Sequence, residues 1–306
     1  MYASGIDELR LIPASSIVFA EAEIVEWGQH GAIIEVDATA INATKVKANL
    51  NGAESAIVTA STTGTSVKGT ATKYNYTAAF GNVIDFAAAE SNGAMLTLEW
   101  YNSSDVLVGV SNIIVPKIIA EDGVMKSIMS GDAQWETEVH VLPGVTLEAN
   151  AGDFGNNDVM IKHLEIYPGA TVVVTEGSQA SGTLKVKTLV LRNGWKRIGG
   201  KAYDVARLYV TPSTASLAKN ASDDVWYSDW YIDFDQYYPI AVPWEVTVAN
   251  MSYKNTKSAV SVGTEDSNSV RLRYYDGNSR ATNVQTGVGD GANWKAYGAA
   301  GAETVP

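Results

Sequence analysis

Only three imidazoles occur in the chain, His30, His140 and His163, and there is no cysteine. Hydrolysis of the Ser-His-Asp kind needs a histidine held by a carboxylate and set against a nucleophile. His140 stands between Val139 and Val141, and His163 precedes Leu164. In a strand, where side chains alternate between faces, aliphatic neighbours that turn inward leave both imidazoles facing out, and both are expected to be solvated. No G-x-S-x-G, H-E-x-x-H or phosphate-loop pattern is present. Three scattered histidines build no zinc site, and the missing cysteine excludes disulfides, thiolate metal sites and thiol catalysis. The expectation is no catalytic residue, no metal and no cofactor.

Carboxylates are plentiful, and two at the right separation suffice for glycoside hydrolysis. Asp229, Asp233 and Asp235 lie among aromatics, as sugar subsites do, but acids on the wet face of a strand would also keep a sticky segment soluble. A polysaccharide lyase or hydrolase centred on Asp233 or Asp235 is therefore the third-ranked reading. The oxygen-rich stretches Asp153–Asp158 and Asp223–Asp224 have neither EF-hand nor nonapeptide spacing, and turn formation accounts for them. The densest chemical feature is aromatic: eight Trp, Tyr or Phe residues fall between Trp226 and Trp244. Trp226, Trp230 and Tyr231, with Asp233 and Asp235, form a candidate glycan platform, since flat rings stack on sugar C–H faces and acids bind hydroxyls. Large rings also serve to pack a core or to cover the open end of a stack of strands, which is the favoured alternative.

These residues must be positioned by strands. Helical periodicity is almost absent from the 306 residues, whereas alternating β-branched and aromatic runs recur between Gly, Asn, Asp and Ser. The expected fold is all-β. Residues 1–14 read as the terminal strand of a preceding domain. Residues 15–117 contain strands near Ile17–Ala22, Ala32–Ala38, Lys45–Leu50, Ala56–Ala60, Thr72–Ala78, Val83–Phe86, Met95–Tyr101 and Val106–Val115, the number and spacing of an immunoglobulin-like sandwich with Trp27 and Trp100 inside. Residues 118–220 repeat with a period of 25: Val139, Leu164 and Leu189 align, as do Val141, Ile166 and Leu191, and Gly144, Gly169 and Gly194. Periodic apolar positions with a periodic glycine indicate a short parallel β-solenoid. Residues 221–306 read as a further, aromatic-rich β-domain.

The coil phrase Leu164-Glu165-Ile166-Tyr167-Pro168-Gly169-Ala170-Thr171 and the strand pair Tyr238-Pro239-Ile240-Ala241-Val242-Pro243-Trp244-Glu245-Val246 resemble those of large surface-exposed or secreted proteins of Bacteroidetes. In that family immunoglobulin-like domains precede short solenoids and an aromatic-rich β-domain. The resemblance implies an extracellular or outer-surface location and a place in a longer protein, and it implies no catalytic residues.

Lys plus Arg is 22 and Asp plus Glu 34, a formal net charge of −12. A surface that acidic, taken as a whole, repels polyphosphate, so nucleic acid is not an expected partner. No apolar run approaches the length of a membrane helix, and no membrane insertion is expected. The reading is a non-enzymatic structural or adhesive module of a larger surface or secreted protein, with a glycan or another surface protein as its partner. A glycan-binding module using residues 226–244 is the alternative.

Overall fold

The computed structural model describes residues 17–37, 42–62, 73–125, 137–150, 159–175, 184–193, 196–197, 200–201, 205–211, 217–219 and 221–230, with short strand segments at 246–247, 252–253, 258–259, 273–275, 294–296 and 304–305. The chain is all-β and forms several sheets, parallel ones among them; apart from one 3-10 turn at Ala89–Ser91, every described element is a strand. It divides into two compact units, residues 1–66 with 71–236, and residues 67–70 with 237–306. The strand expected over Ile6–Ile12 lies outside the described residues.

The first unit opens with two facing sheets. One contains β1 (Val18–Phe19), β4 (Lys45–Leu50), β5 (Ala53–Glu54), β6 (Val58–Thr59), β9 (Met95–Tyr101) and β10 (Leu107–Ile114); the other contains β2 (Ala22–Trp27), β3 (Gly31–Asp37), β7 (Ser61–Thr62) and β8 (Lys73–Ala79). All pairings are antiparallel except β1 with β10. Asn51 and Gly52, both at positive φ, turn β4 into β5 as a two-residue hairpin requires. Strand alternation sends Val46, Ala48, Leu50, Leu96, Leu98 and Trp100 inward, where all are buried. The Trp100 ring meets Tyr76 of the opposite sheet at 5.3 Å, and its Nε1–H donates to Ser111 Oγ at 2.9 Å. Full burial of each such large side chain contributes about 1.5–3 kcal/mol.

The expected strand at Val83–Phe86 is not one. Ile84 and Phe86 are buried in alternation, but their N–H groups bond Gly81 O and Gln29 O in a chain reversal begun by Gly81 at φ +73. Burial alternates there as in a strand, but no ladder forms.

From Lys117 the pairing becomes parallel. One sheet runs β11 (Lys117–Ile119), β13 (Glu138–Val141), β15 (Val159–Ile166), β17 (Leu184–Asn193), and the other runs β12 (Gly123–Val124), β14 (Thr146–Asn150), β16 (Thr171–Thr175), β20 (Arg207–Thr211). Between β17 and β20 lies a small hairpin of β18 (Lys196–Arg197) and β19 (Gly200–Lys201). The period of 25 is the rung spacing: Val139 pairs with Leu164 and then Leu189, Val141 with Ile166 and then Leu191. All six are buried, as are Leu147 with Val172 and Ala149 with Val174 in the second sheet. Gly144 and Gly169 sit at φ +86 and +80, the left-handed region that a β-carbon disfavours, so their repeat marks the same turn in successive rungs. The Gly144 N–H bonds Gly169 O at 3.2 Å, stacking one turn on the next.

β21 (Leu217–Ala218) and β22 (Val225–Trp230) both pair in parallel with β17, so the aromatic-rich stretch begins inside the parallel sheet. In the second unit Val246–Thr247 pairs with Thr304–Val305, Ser252–Tyr253 with Ser258–Ala259, and Arg273–Tyr275 with Trp294–Ala296, all antiparallel. The strand expected at Tyr237–Val242 lies outside the described residues.

Candidate functional site

Parallel register at a 25-residue period places His140 directly beside Glu165 on the next rung. Val139 and Val141 turn inward, so His140 turns outward, as does Glu165 between Leu164 and Ile166. His163 precedes Glu165 by two residues on the same face, and Arg192 reaches Glu165 from the third rung. The outward face is not wet here, and the expectation of solvated histidines is corrected: His140 is 7% exposed. Trp27, at the end of β2, covers it with ring centroids 6.4 Å apart. Outward from the rungs means toward the two-sheet body at this height.

The contacts are dense. Arg192 Nε–H donates to Glu165 Oε1, and His163 Nε2 lies 2.9 Å from Glu165 Oε2. His140 Nδ1 lies 3.9 Å from the same Oε2 and 3.4 Å from Tyr167 Oη. Tyr167 Oη accepts the Trp27 backbone N–H at 2.9 Å, and the Arg192 guanidinium lies 5.7 Å from the Tyr167 ring centroid. At the wetter rim, Lys162 Nζ pairs with Glu138 at 2.8 Å.

Electrostatics follow from burial and these partners. Burial would raise the Glu165 pKa, but Arg192, His140 and His163 outweigh it and hold the carboxyl well below its usual range. For His140 burial dominates over the attraction of Glu165, lowering its pKa to about 4, so the ring is neutral at pH 7. Burial, then the Glu165 charge, push the Tyr167 hydroxyl well up. A neutral His140 leaves Nδ1 able to accept the Tyr167 O–H, consistent with that oxygen's role as acceptor from Trp27.

Two histidines and a glutamate offer three ligand atoms within 4.8 Å of one another, a donor set of the type that binds zinc. The imidazoles are therefore not isolated, which revises the expectation from sequence. Yet Glu165 is already neutralised by a guanidinium that would face any cation, and its side chain is 4% exposed. A histidine beside a carboxylate also has the form of a base and its orienting group; Glu165 and His140 are buried, and His163, with its side chain 22% exposed, is the one member that reaches the rim. The arrangement acts as an ion-pair network tying three rungs to one another and, through Tyr167 and Trp27, to the facing sheets.

His30 is structural too, its Nδ1 2.9 Å from Ile84 O. Asp224 is buried with Oδ2 accepting the Ala221 N–H at 2.8 Å, the turn-forming role expected for it.

Of the aromatic candidates, Trp226 pairs with Leu189, extending the inward column Val139, Leu164, Leu189 by one rung. It is half-buried, and its Nε1–H donates to Val186 O at 2.9 Å. Trp230 is described by its backbone, paired with Asn193; Tyr231, Asp233 and Asp235 lie outside the described residues, as does Asp153–Asp158. Trp27, Tyr167, Glu165 and Arg192 were not singled out from sequence, although the 25-residue period already set position 140 against 165. The chain matches no family model, no curated protein and no solved structure.

Proposed function

We propose that this chain is a non-enzymatic structural and adhesive module of a larger cell-surface or secreted protein, in which an immunoglobulin-like sandwich is joined to a short parallel β-solenoid. One observation carries the reading: the heart of the most chemically capable cluster, His140, Glu165 and Arg192, is buried beneath Trp27 and Tyr167 and joins rungs to sandwich, with His163 at its rim. Reactive groups that serve catalysis face a cleft; these face a seam. The six-plus-four-strand arrangement and the in-register 25-residue columns support the two named folds. The surface location follows the resemblance drawn from the coil phrase. Incubation of the chain with a panel of neutral and acidic polysaccharides is expected to release no new reducing or unsaturated ends; sustained turnover of any of them would overturn the reading.

A further inference from the structure

Among the described residues, the groups that titrate or carry charge around His140 come mostly from the parallel strands. They are Glu165 and His163 of β15, Arg192 of β17, Tyr167 just beyond β15, and at the rim Glu138 of β13 with its partner Lys162. From the antiparallel side β2 brings the Trp27 ring over His140, and it brings Glu26, which is buried and adds its charge to the surroundings of Tyr167. His140 lies on the outward face of β13, while Val139 and Val141 beside it fill the parallel interior. No described ladder joins the antiparallel sheets to the parallel ones.

A proton on His140 changes what this seam can bond. The neutral ring accepts the Tyr167 O–H at Nδ1 across 3.4 Å, and the same phenol oxygen accepts the Trp27 backbone N–H at 2.9 Å. An imidazolium donates from both nitrogens and accepts nothing, so the phenol proton loses its acceptor. Glu165 offers the new N–H no close oxygen: Oε1 is held by Arg192 and Oε2 by His163, and Oε2 stands 3.9 Å from His140 Nδ1, beyond hydrogen-bond length. A charged ring so placed needs water. Water reaches it when Trp27 and Tyr167 part, with no ladder broken and with the Glu165–Arg192 pair intact, since both partners lie on parallel strands.

We infer that the seam is a proton-operated joint: in mild acid the antiparallel and the parallel sheets of this unit part at Trp27 and Tyr167, each still folded, with His140 as the trigger. Geometry sets what moves, and burial sets the pH. Closed, His140 is held near pKa 4; opened to water it regains its ordinary value of 6.5. Above pH 6.5 neither form is protonated and the joint is closed. Between 6.5 and 4 the open form takes the proton first, so the balance moves toward opening by a factor on the order of a hundred, the ratio that separates 6.5 from about 4. Below pH 4 both forms are charged and the bias stops growing. Glu165 keeps Arg192 and His163 in either form, so its carboxyl does not drive the step. Glu26 is the one acid named here that opening carries away from the cluster.

Hydrogen exchange of the full chain from pH 7 to pH 4, corrected for the intrinsic rate at each pH and resolved by fragmentation to the Trp27 amide, reads the joint directly. Protection of that amide should fall about tenfold or more across this range, while the amides of β9 and β16, inside the two sets of sheets, keep theirs. Calorimetry should resolve two transitions at pH 4. In His140→Gln, whose side chain is never charged, the Trp27 amide should stay protected at pH 4; His163→Gln, at the rim, should leave the acid loss in place. Three results on the wild-type chain, independent of whether any variant folds, would overturn the proposal: unchanged Trp27 protection down to pH 4, loss of β9 and β16 protection together with it, or a single transition at pH 4. An acid loss that persists in His140→Gln and vanishes in His163→Gln would overturn it as well.

Discussion

Glu165 accepts from a guanidinium and from an imidazole while almost wholly removed from water, and His140 beside it stays neutral for the same reason. Both shifts link folding to pH in one direction. A histidine held near pKa 4 in the folded chain but near 6.5 when unfolded takes up its proton preferentially on unfolding between those values, so stability falls as pH drops through that window. Glu165, lowered from 4.5, contributes stabilisation that is present above pH 4.5 and is lost below it, so the two effects follow each other on acidification. The His140 share is on the order of 3 kcal/mol. Urea midpoints of the His140→Gln variant are therefore expected to change less than wild type between pH 6.5 and pH 4, even where the variant is weaker at pH 7. Parallel profiles would show that His140 is not the group responsible. The facing of His140 was legible from its aliphatic neighbours. Its burial was not, because the cover comes from Trp27, 113 positions earlier in the chain, and no local pattern marks what a face will meet.

At the scale of elements, the repeating turn is where sequence spoke most clearly. A glycine every 25 residues announced a backbone conformation, and Gly144 and Gly169 both adopt positive φ. At Gly144 an added β-carbon would meet nothing within 4 Å, so the penalty of a side chain there is conformational alone. Gly144→Ala should cost about 1–2 kcal/mol and Gly144→Asn less, since Asn tolerates the left-handed region. Chemical denaturation gives the order directly; equal stability of the Ala and Asn variants would mean that the turn relaxes to negative φ. Strand positions inside the rungs were legible through their aliphatic columns for the same reason of periodicity. The Val83–Phe86 segment misled because burial alternates there without a partner strand, and alternation reports only which way side chains point. Trp226 breaks the 25-residue spacing: it follows Leu189 by 37 positions yet occupies the next place in the same column, so the period alone does not reach it.

For the first unit as a whole, the decisive question is whether the two facing antiparallel sheets and the parallel sheets fold as one. Net charge and composition say nothing of this. The seam answers it structurally: Trp27 gives its ring to Phe86 at 5.1 Å on the side of the antiparallel sheets and to His140 on the side of the parallel ones, and its backbone N–H to Tyr167. Tyr167 is 1% exposed, so removal of its hydroxyl leaves the Trp27 N–H with no water to replace it. An orphaned buried donor costs about 1–3 kcal/mol. That loss falls on the contact between the two parts and on neither interior, since Trp100 and the Val141, Ile166, Leu191 column lie elsewhere. Coupled parts unfold together only while their mutual contact is worth more than the difference in their separate stabilities. Calorimetry of wild type should therefore show the antiparallel and the parallel sheets of this unit melting in one transition, and Tyr167→Phe should lower its midpoint and broaden or split it. A variant that melts as sharply as wild type at an unchanged temperature would mean that the seam carries no coupling, and the two folds would then be neighbours that merely touch.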